Sequence, residues 1–517
     1  MVSIEYKSYV IDTGYLFPPS LADFLGHDDE VHIFREVTEQ LDISSLDSDF
    51  NGMGQRPYHP RLLLRLLMWG MANRVVSTRR IEVMSHRDVS FIYLAGGQKP
   101  DFRTLARFRR RNAKEIKRLF KETVLLCARL GMVNLGHVAL DGTKLKANTS
   151  KHKAMSYGRM KQEEERLERE IEELMYQSEV VDSDEDKAFG KDKNGYNLSE
   201  ELQRREDRLI KIRQLKEELE QEKKEEQHLK DKQTPAIGDK EQRSFADHKA
   251  RVMLMKRGEF DYGYNGQACM DEGHGVIVAA GLSNEASDMG HLPGMVKEVR
   301  ELRQELGKEP KEITEMSADR GYFSVENIQQ EGKGIELLIA SGREGRDEPG
   351  KENKGKHKVY SVDKFDYVKE SDSWKCPDGR LLAREKSQGT RGRPMQRRYV
   401  CADCSGCSLT GYCLKRGEER RLLMVKRKQL IRADMRARLK NPDKHAIYRN
   451  RKWVAEQVIG QIKEGLGFRA VTVRGEKFAR AQWLLACAVH NVMKAVRYIK
   501  QLRELKAKKV LEAAALG

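Results

Sequence analysis

An α/β protein with a mixed-sheet core, an all-helical N-terminal domain and two insertions is what this sequence predicts, and three observations carry the reading. Residues 1–130 hold helix-period apolar patterns broken only by turn signals. Strand-length apolar runs begin near Leu135 and return at 258–270, 275–280, 313–318 and 335–340, each followed by polar or helical sequence. A charged stretch at 151–245 and a cysteine-bearing one at 346–425 interrupt that pattern. With 517 residues the chain is long enough for several units. The expected boundaries are 1–130 for the helical domain, 131–150, 246–345 and 426–500 for the core, 151–245 and 346–425 for the insertions, and 501–517 for a basic C-terminal helix or tail.

Turn signals at Pro18-Pro19, Arg56-Pro57, His59-Pro60, Gly96-Gly97 and Pro100 divide the first segment. Between them, Leu62, Leu63, Leu64, Leu66, Leu67, Met68 and Trp69 read as a core helix entered after Pro60, where the missing N–H of proline costs nothing. Ser77 or Thr78 is placed to cap a short helix carrying Arg79 and Arg80, and Asp101 to cap another running through Phe102, Leu105, Phe108 and Asn112. On that last helix Arg103, Arg107 and Arg110 fall at i, i+4 and i+7, one face, which suits phosphate contact in a helix-turn-helix; a solvated basic face on a bundle is the plainer alternative.

The first strand, His137-Val138-Ala139-Leu140, is expected to end at Asp141-Gly142-Thr143. Leu167, Ile171 and Leu174, then Leu202, Leu209, Ile212, Leu215 and Leu219, keep approximate heptad spacing and predict an antiparallel helical hairpin whose tip lies between Glu179 and Asn197. A polar, Gly- and Lys-rich linker at 345–375 leads into the cysteines, and helix resumes from Leu430.

Lys and Arg number 97 against 80 Asp and Glu, a net charge of +17, so polyanions are favoured partners and nucleic acid leads among them. No apolar run approaches the roughly 18 residues that span a bilayer, and the N-terminus lacks a basic-then-apolar leader, so the expectation is a cytoplasmic protein without membrane contact. No phosphate-cradling glycine loop or dinucleotide fingerprint is present.

Three carboxylates stand where an α/β scaffold can aim them inward: Asp141 after a strand, Asp319 after Ile313–Ala318, and Glu456 in a helical stretch beside Trp453 and Ile459. Each taken singly reads as a turn former or cap; the case rests on all three together. Gly and cations follow Asp141 in Asp141-Gly142-Thr143-Lys144, and Arg320 and Gly321 follow Asp319. In a regular helix Lys452, Glu456 and Lys463 fall close to one stripe, so carboxylate and cations there suit metal and phosphate together. Five of the eight cysteines, Cys376, Cys401, Cys404, Cys407 and Cys413, lie within 38 residues. That spacing favours a structural zinc ion held by Cys376 and three of the other four; free buried thiols are the alternative. His490-Asn491 reads as a satisfied core pair, and Asn265, Asn284 and Asp288 as secondary candidates for DNA contact.

These strings resemble bacterial insertion-sequence transposases of the DDE type, which have a ribonuclease-H-like core, here with an N-terminal domain like that of InsH-type transposases. The resemblance covers Gly14–Asp23, Arg56–Asn73, Pro100–Asn112, Asp141–Met160, Tyr264–Gln267, Asn284–Gly294, Ala318–Asn327, the cysteines, Arg451–Lys463 and His490-Asn491. It implies that Asp141, Asp319 and Glu456 are the three catalytic acids and hold two Mg2+ (or Mn2+) ions about 4 Å apart. It further implies that Lys463 is the cation seven residues beyond the glutamate. The family pattern Y-x2-R-x3-E-x6-K is not kept in full, because Lys452 stands four before Glu456, Arg449 takes the tyrosine position, and Tyr448 and Arg451 are each one residue early. The implied partners are the double-stranded DNA of element ends and target and a second copy of the chain, with Arg79, Arg80, Arg103, Arg107, Arg110, Lys452 and Lys463 as DNA contacts. A transposase-derived DNA-binding protein without catalysis and a metal-dependent nuclease without strand transfer are the competing readings.

Overall fold

The computed structural model describes residues 20–46, 56–149, 154–189, 200–228, 237–255, 258–309, 312–341, 359–385, 396–415 and 417–515. The expected turn at Pro18-Pro19, the middle of the helical-hairpin tip and residues 345–358 of the expected linker lie outside them.

The N-terminal region is helical: α1 (Glu30–Glu39), α2 (Pro60–Ala72), α3 (Thr78–Arg87), α4 (Val89–Leu94), α5 (Phe102–Arg111) and α6 (Ile116–Arg129). Pro60 opens α2 as expected, and Leu63, Leu64, Leu66, Leu67 and Met68 are buried. Asp101 caps α5 by accepting the Thr104 amide at 2.6 Å. Ser77 occupies the cap position of α3, but its side chain makes no capping hydrogen bond.

The strand β1 (His137–Lys146) does not stop at Asp141, as the polar run after Leu140 suggested. An antiparallel partner continues beside it, pairing Asp141 with Ala268 and Lys146 with Gly263, so the ladder satisfies the backbone through the polar residues. Next come β2 (Ala154–Ser156) and the hairpin helices α7 (Tyr157–Phe189) and α8 (Glu200–His228). Leu167, Leu209, Ile212 and Leu215 form their shared core. Ion pairs Glu164–Lys216 and Glu170–Arg205 cross the seam in antiparallel order. The hairpin returns through β3 (Gln242–Ser244), which pairs with β2 and closes its base.

The main sheet is completed by β4 (Arg251–Leu254), β5 (Phe260–Asp271), β6 (Ile277–Ser283), β7 (Thr314–Ala318) and β8 (Ile335–Ile339), with α9 (Leu292–Glu305) between β6 and β7 and the short α10 (Val325–Ile328) between β7 and β8. Its order is β4-β5-β1-β7-β8, with β6 also on β5. The pairs β1–β5 and β5–β6 are antiparallel, whereas β7 and β8 run parallel to β1.

A second sheet holds the cysteine region, with β9 (Asp366–Val368), β10 (Ser373–Lys375), β11 (Leu381–Glu385), β12 (Gln396–Cys401), the short α11 (Thr410–Cys413) and β13 (Leu422–Lys426). It packs around Phe365, Trp374, Leu382 and Tyr399 as a core of its own. The chain then returns through α12 (Arg427–Lys440) and α13 (Pro442–Gly460) and finishes in α14 (Glu476–Ala515). No helix among the described residues is long and apolar enough to cross a membrane.

The buried half of α14 joins the helical region to the sheet. Trp483 donates its indole N–H to the Gln267 carbonyl at 3.2 Å, and its ring lies so close to Gly266 that an added Cβ would stand 3.1 Å from it. His490 bonds the Gly275 carbonyl at 3.0 Å and burial lowers its pKa to about 4, so it is a neutral core residue, as its apolar setting predicted. Asn491 acts as one more strand partner, accepting the Ile277 N–H and donating to the Ile277 carbonyl, each at 2.9 Å.

Replacing Asn491 by Ala leaves both buried Ile277 groups unpaired, at about 1–3 kcal/mol each. The expected result is a lower midpoint of denaturant unfolding; an unchanged midpoint would show that this amide does not tie α14 to the sheet.

Candidate active site

Parallel strands place chemistry at their carboxyl ends, and here two of them run side by side. Leu140 of β1 registers with Ala318 of β7, so the residues that follow, Asp141 and Asp319, are neighbours although 178 positions separate them. Asp141 accepts the Gly142 amide at 2.9 Å. Asp319 ends β7 and caps the turn Arg320–Tyr322, accepting the Gly321 amide at 2.8 Å.

Asp288, named from the sequence only as a secondary candidate for DNA contact, joins them from the segment between β6 and α9. Its Oδ1 accepts from Asn265 Nδ2 at 2.7 Å, Gln267 Nε2 at 3.0 Å and Lys144 Nζ at 3.1 Å. Tyr322 donates its hydroxyl to Gln267 Oε1, so one buried network spans β1, β5 and the turn after β7. Gly142 is where this network presses on β1. A Cβ there would stand 2.8 Å from Asp288 Oδ1, 2.9 Å from Gln267 Nε2 and 3.2 Å from the Tyr322 hydroxyl, so no larger residue fits without moving the site.

The charges follow from this crowding. Burial pushes the Asp141 carboxyl up to about 6, and the negative charges of Asp319 and Asp288 add to it, while the Gly142 amide and the Arg451 guanidinium work the other way. Asp288 moves oppositely. Burial would raise it, but the hydrogen bonds from Asn265 and Gln267 and the cation of Lys144 hold it below the usual carboxylate range. Tyr322 is kept protonated, first by burial and then by the three aspartates.

Glu456 and its cations sit on α13, which packs on the sheet through Val454, Ala455 and Val458. The Glu456 side chain is 67% exposed and pairs with Lys452 at 3.9 Å. The carboxylates whose charge raises Asp141 most are Asp319 and Asp288. The expected stripe of Lys452, Glu456 and Lys463 is broken because Gln461–Gly465 forms a π-helical turn, and Lys463 donates to the Lys144 carbonyl at 3.1 Å beside the site. Asn284 bonds the Lys249 carbonyl away from this network. The role of Asp288 is visible in sequence only as an isolated acid in a polar segment, and that of Gln267 only as a buried amide on a strand.

Among the described residues no three His, Cys, Asp or Glu side chains gather around one point as a metal cage would require. Asp141 and Asp319 nonetheless offer an oxygen-only pair whose mutual repulsion a cation would relieve, and magnesium is commonly held by one or two carboxylates with waters and substrate phosphate. The five clustered cysteines all line one small cavity with Arg380 and Arg421. Cys404 accepts the Arg421 amide and Cys407 the Leu409 amide, each at 3.4 Å, whereas Cys401 donates its thiol to the Asp403 carbonyl at 3.1 Å.

The basic face expected on α5 is present. Arg103, Arg107 and Arg110 are exposed, as are Arg79 and Arg80 of α3. Arg79 and Arg103 both lie over the Phe102 ring, at 4.9 and 5.6 Å, and Arg110 lies over Phe478 at 5.5 Å. Phe102 thus lies beneath two of the cations of this face.

Two family models match the chain. Residues 375–496 match the transposase DDE domain, a stretch that contains the cysteine region and Glu456, and residues 20–111 match a transposase domain (DUF772). No curated protein and no solved structure matches.

The raised Asp141 gives a stability test. An acid whose folded pKa lies above its ordinary value of 3.8 binds its proton more tightly in the fold, so it costs nothing at low pH and destabilises as pH rises through about 6. Two pKa units correspond to about 3 kcal/mol. Asp141→Asn is expected to raise stability at about pH 8 by up to that amount and to leave it unchanged below about pH 4, read by denaturant unfolding at both pH values. Equal stability at both would show that Asp141 is not a strained carboxylate.

Proposed function

We propose that the chain, residues 375–496 of which match the transposase DDE domain and residues 20–111 a transposase domain, is an insertion-sequence transposase of the DDE type that cuts DNA at the terminal inverted repeats of its element and joins the freed 3′ ends to a target. The observation that carries the reading is the side-by-side placement of Asp141, within β1, and Asp319, at the end of the parallel β7. Three antiparallel strands, β1, β5 and β6, followed by β7 and β8 parallel on the far side of β1 support a ribonuclease-H-like core.

Asp141 and Asp319 would hold the divalent ions. Magnesium or manganese bound there supplies activation of water or a 3′-hydroxyl and stabilises the leaving oxygen in an in-line displacement. Around that centre the protein's own groups have separate tasks. Asp288, Gln267 and Tyr322 brace β1 from behind, which keeps the Asp141 carboxylate aimed at Asp319. Arg451, whose charge reaches Asp141, and Lys463 stand where a DNA phosphate would run. Glu456 supplies the third carboxylate once it leaves Lys452. That exchange is easy, because a solvent-exposed pair is worth about 0–1 kcal/mol. The exposed arginines of α3 and α5 bind the element end, and Lys452 adds a contact near the cut.

Holding two ends together calls for a homodimer. A non-catalytic DNA-binding derivative has no use for a pair of crowded, half-buried carboxylates, and their presence favours catalysis. A nuclease without strand transfer is separated from a transposase by its products.

Four of the five cysteines bind a structural zinc ion in this reading. Cys376 and three of the other four would hold it, and Cys404 and Cys407 accept backbone amides as metal-bound thiolates do.

Asp319→Asn is expected to abolish cleavage of a DNA carrying the element ends in Mg2+ or Mn2+ while leaving gel-shift binding intact. Loss of both would assign Asp319 to the fold, and wild-type cleavage without joined products would favour the nuclease. Elemental analysis is expected to find about one zinc per chain, lost in Cys376→Ser; no zinc in the wild type would remove the site.

A further inference from the structure

A second concavity lies next to the carboxylates and has no part in the network around Asp288. It is a cleft of about 590 Å³ lined by Arg436, Leu439 and Lys440 of α12, by Pro442, His445 and Tyr448 of α13, and by the two residues that follow β8. A volume of that order suits one nucleotide, since small-molecule sites run from about 300 to 1,000 Å³.

Its place in the fold is set by the same strand ends. Ile339 of β8 registers with Ala318 of β7, so the floor of the cleft begins one strand over from Asp319. Its wall leads back to the other acid: the Arg451 guanidinium lies 5.7 Å from the centre of the Tyr448 ring, and its charge acts on Asp141. A DNA strand crossing the two aspartates would therefore meet this cleft next.

The lining has the chemistry for such a strand. Tyr448 is a half-buried aromatic on which a base can stack, and Leu439 and Pro442 add apolar surface. Arg436 and Lys440 are the cations of the lining, Arg436 with a side chain only 15% exposed and Lys440 in a solvent-exposed pair that can exchange partners. Arg436 donates to the Asp363 carbonyl at 2.6 Å and stands 3.4 Å from its carboxylate, and Lys440 pairs with Asp366 at 2.6 Å with both side chains more than 60% exposed. A smaller cleft of about 200 Å³, lined by Phe365, Tyr367 and the same Arg436 and Lys440, continues on the other side of that pair, so the cations form a ridge between two hollows. Alternating hollows and cations match the repeat of base and phosphate in a single strand.

We propose that this cleft binds an unpaired nucleotide of the DNA strand leaving the carboxylate pair, with its base on Tyr448 and its phosphate on Arg436 and Lys440. The proposal rests on the DNA-processing reading above, and it adds a subsite for single-stranded DNA.

The test uses the full-length protein and two probes, a fluorescein-labelled oligothymidylate and a labelled random-sequence duplex, followed by fluorescence anisotropy. Tyr448→Ala is expected to weaken oligothymidylate binding about 5- to 100-fold, with Tyr448→Phe near wild type because stacking needs only the ring. Lys440→Ala, on the surface, is expected to reduce the salt dependence of that binding by about one phosphate's worth. Duplex binding should be unchanged in all three. If single-strand binding is unaffected by both Tyr448→Ala and Lys440→Ala while duplex binding persists, the subsite is wrong and the DNA reading stands. If Tyr448→Phe is as weak as Tyr448→Ala, the tyrosine acts through its hydroxyl and stacking is overturned. If the wild type binds neither probe, the subsite and the DNA reading fall together.

Discussion

Everything proposed for this protein depends on one lateral pairing, that of β7 parallel to β1. Parallel neighbours in register put successive residues of the two strands side by side, so the match of Leu140 with Ala318 makes Asp141 and Asp319 neighbours. A slip of one residue would turn one of the two side chains to the other face of the sheet. The register is guarded on both sides of the acids. Before them, His137 of β1 bonds Ser317 of β7 at 2.7 Å, and Thr314 donates to the Leu135 carbonyl at 2.7 Å. Beyond them, the antiparallel ladder with β5 carries β1 on to Lys146.

The site is stable only because its charges are unequal. Asp288 is held low by an amide pair and a lysine, while Asp141, with one amide and an arginine to offset it, is raised by its burial and then by the charges of the other two aspartates. Such a division is common where a fold keeps groups crowded for a task rather than for its own stability. The absence of a side chain at Gly142 is the steric half of the same arrangement, since the space a Cβ would need is filled by the atoms that hold Asp288.

The large insertions leave this centre undisturbed because each is closed on itself. The hairpin of α7 and α8 has its own apolar seam and a base tied by β2 and β3, and Glu222 gathers Arg243, Lys249 and Arg251 where the chain re-enters the sheet. The cysteine region likewise has a sheet and a core separate from the main one. What joins the remainder is α14, whose buried residues touch the N-terminal helices on one side and β5 and β6 on the other.

Much of this was legible in the chain. Periodicity revealed the N-terminal helices, the five longer strands of the core and the helical hairpin, because each buries a continuous apolar face that local spacing records. The two aspartates could be picked out because strand, acid and glycine are adjacent in sequence, and the cysteines because metal ligands cluster. The sequence by itself therefore determined the elements, their class and the list of reactive side chains. Only the tertiary structure decided which of those side chains meet. Asp288 joins the pair through a loop whose position is set by Lys144, Asn265 and Gln267, none of them its neighbour in the chain. Strand β1 runs past Asp141 because a partner more than a hundred residues away pairs with it, and Lys463 leaves the face of Glu456 because a π-helical turn intervenes. Local pattern encodes burial and backbone preference, but proximity depends on long-range pairing, and that is specified only when the whole core closes.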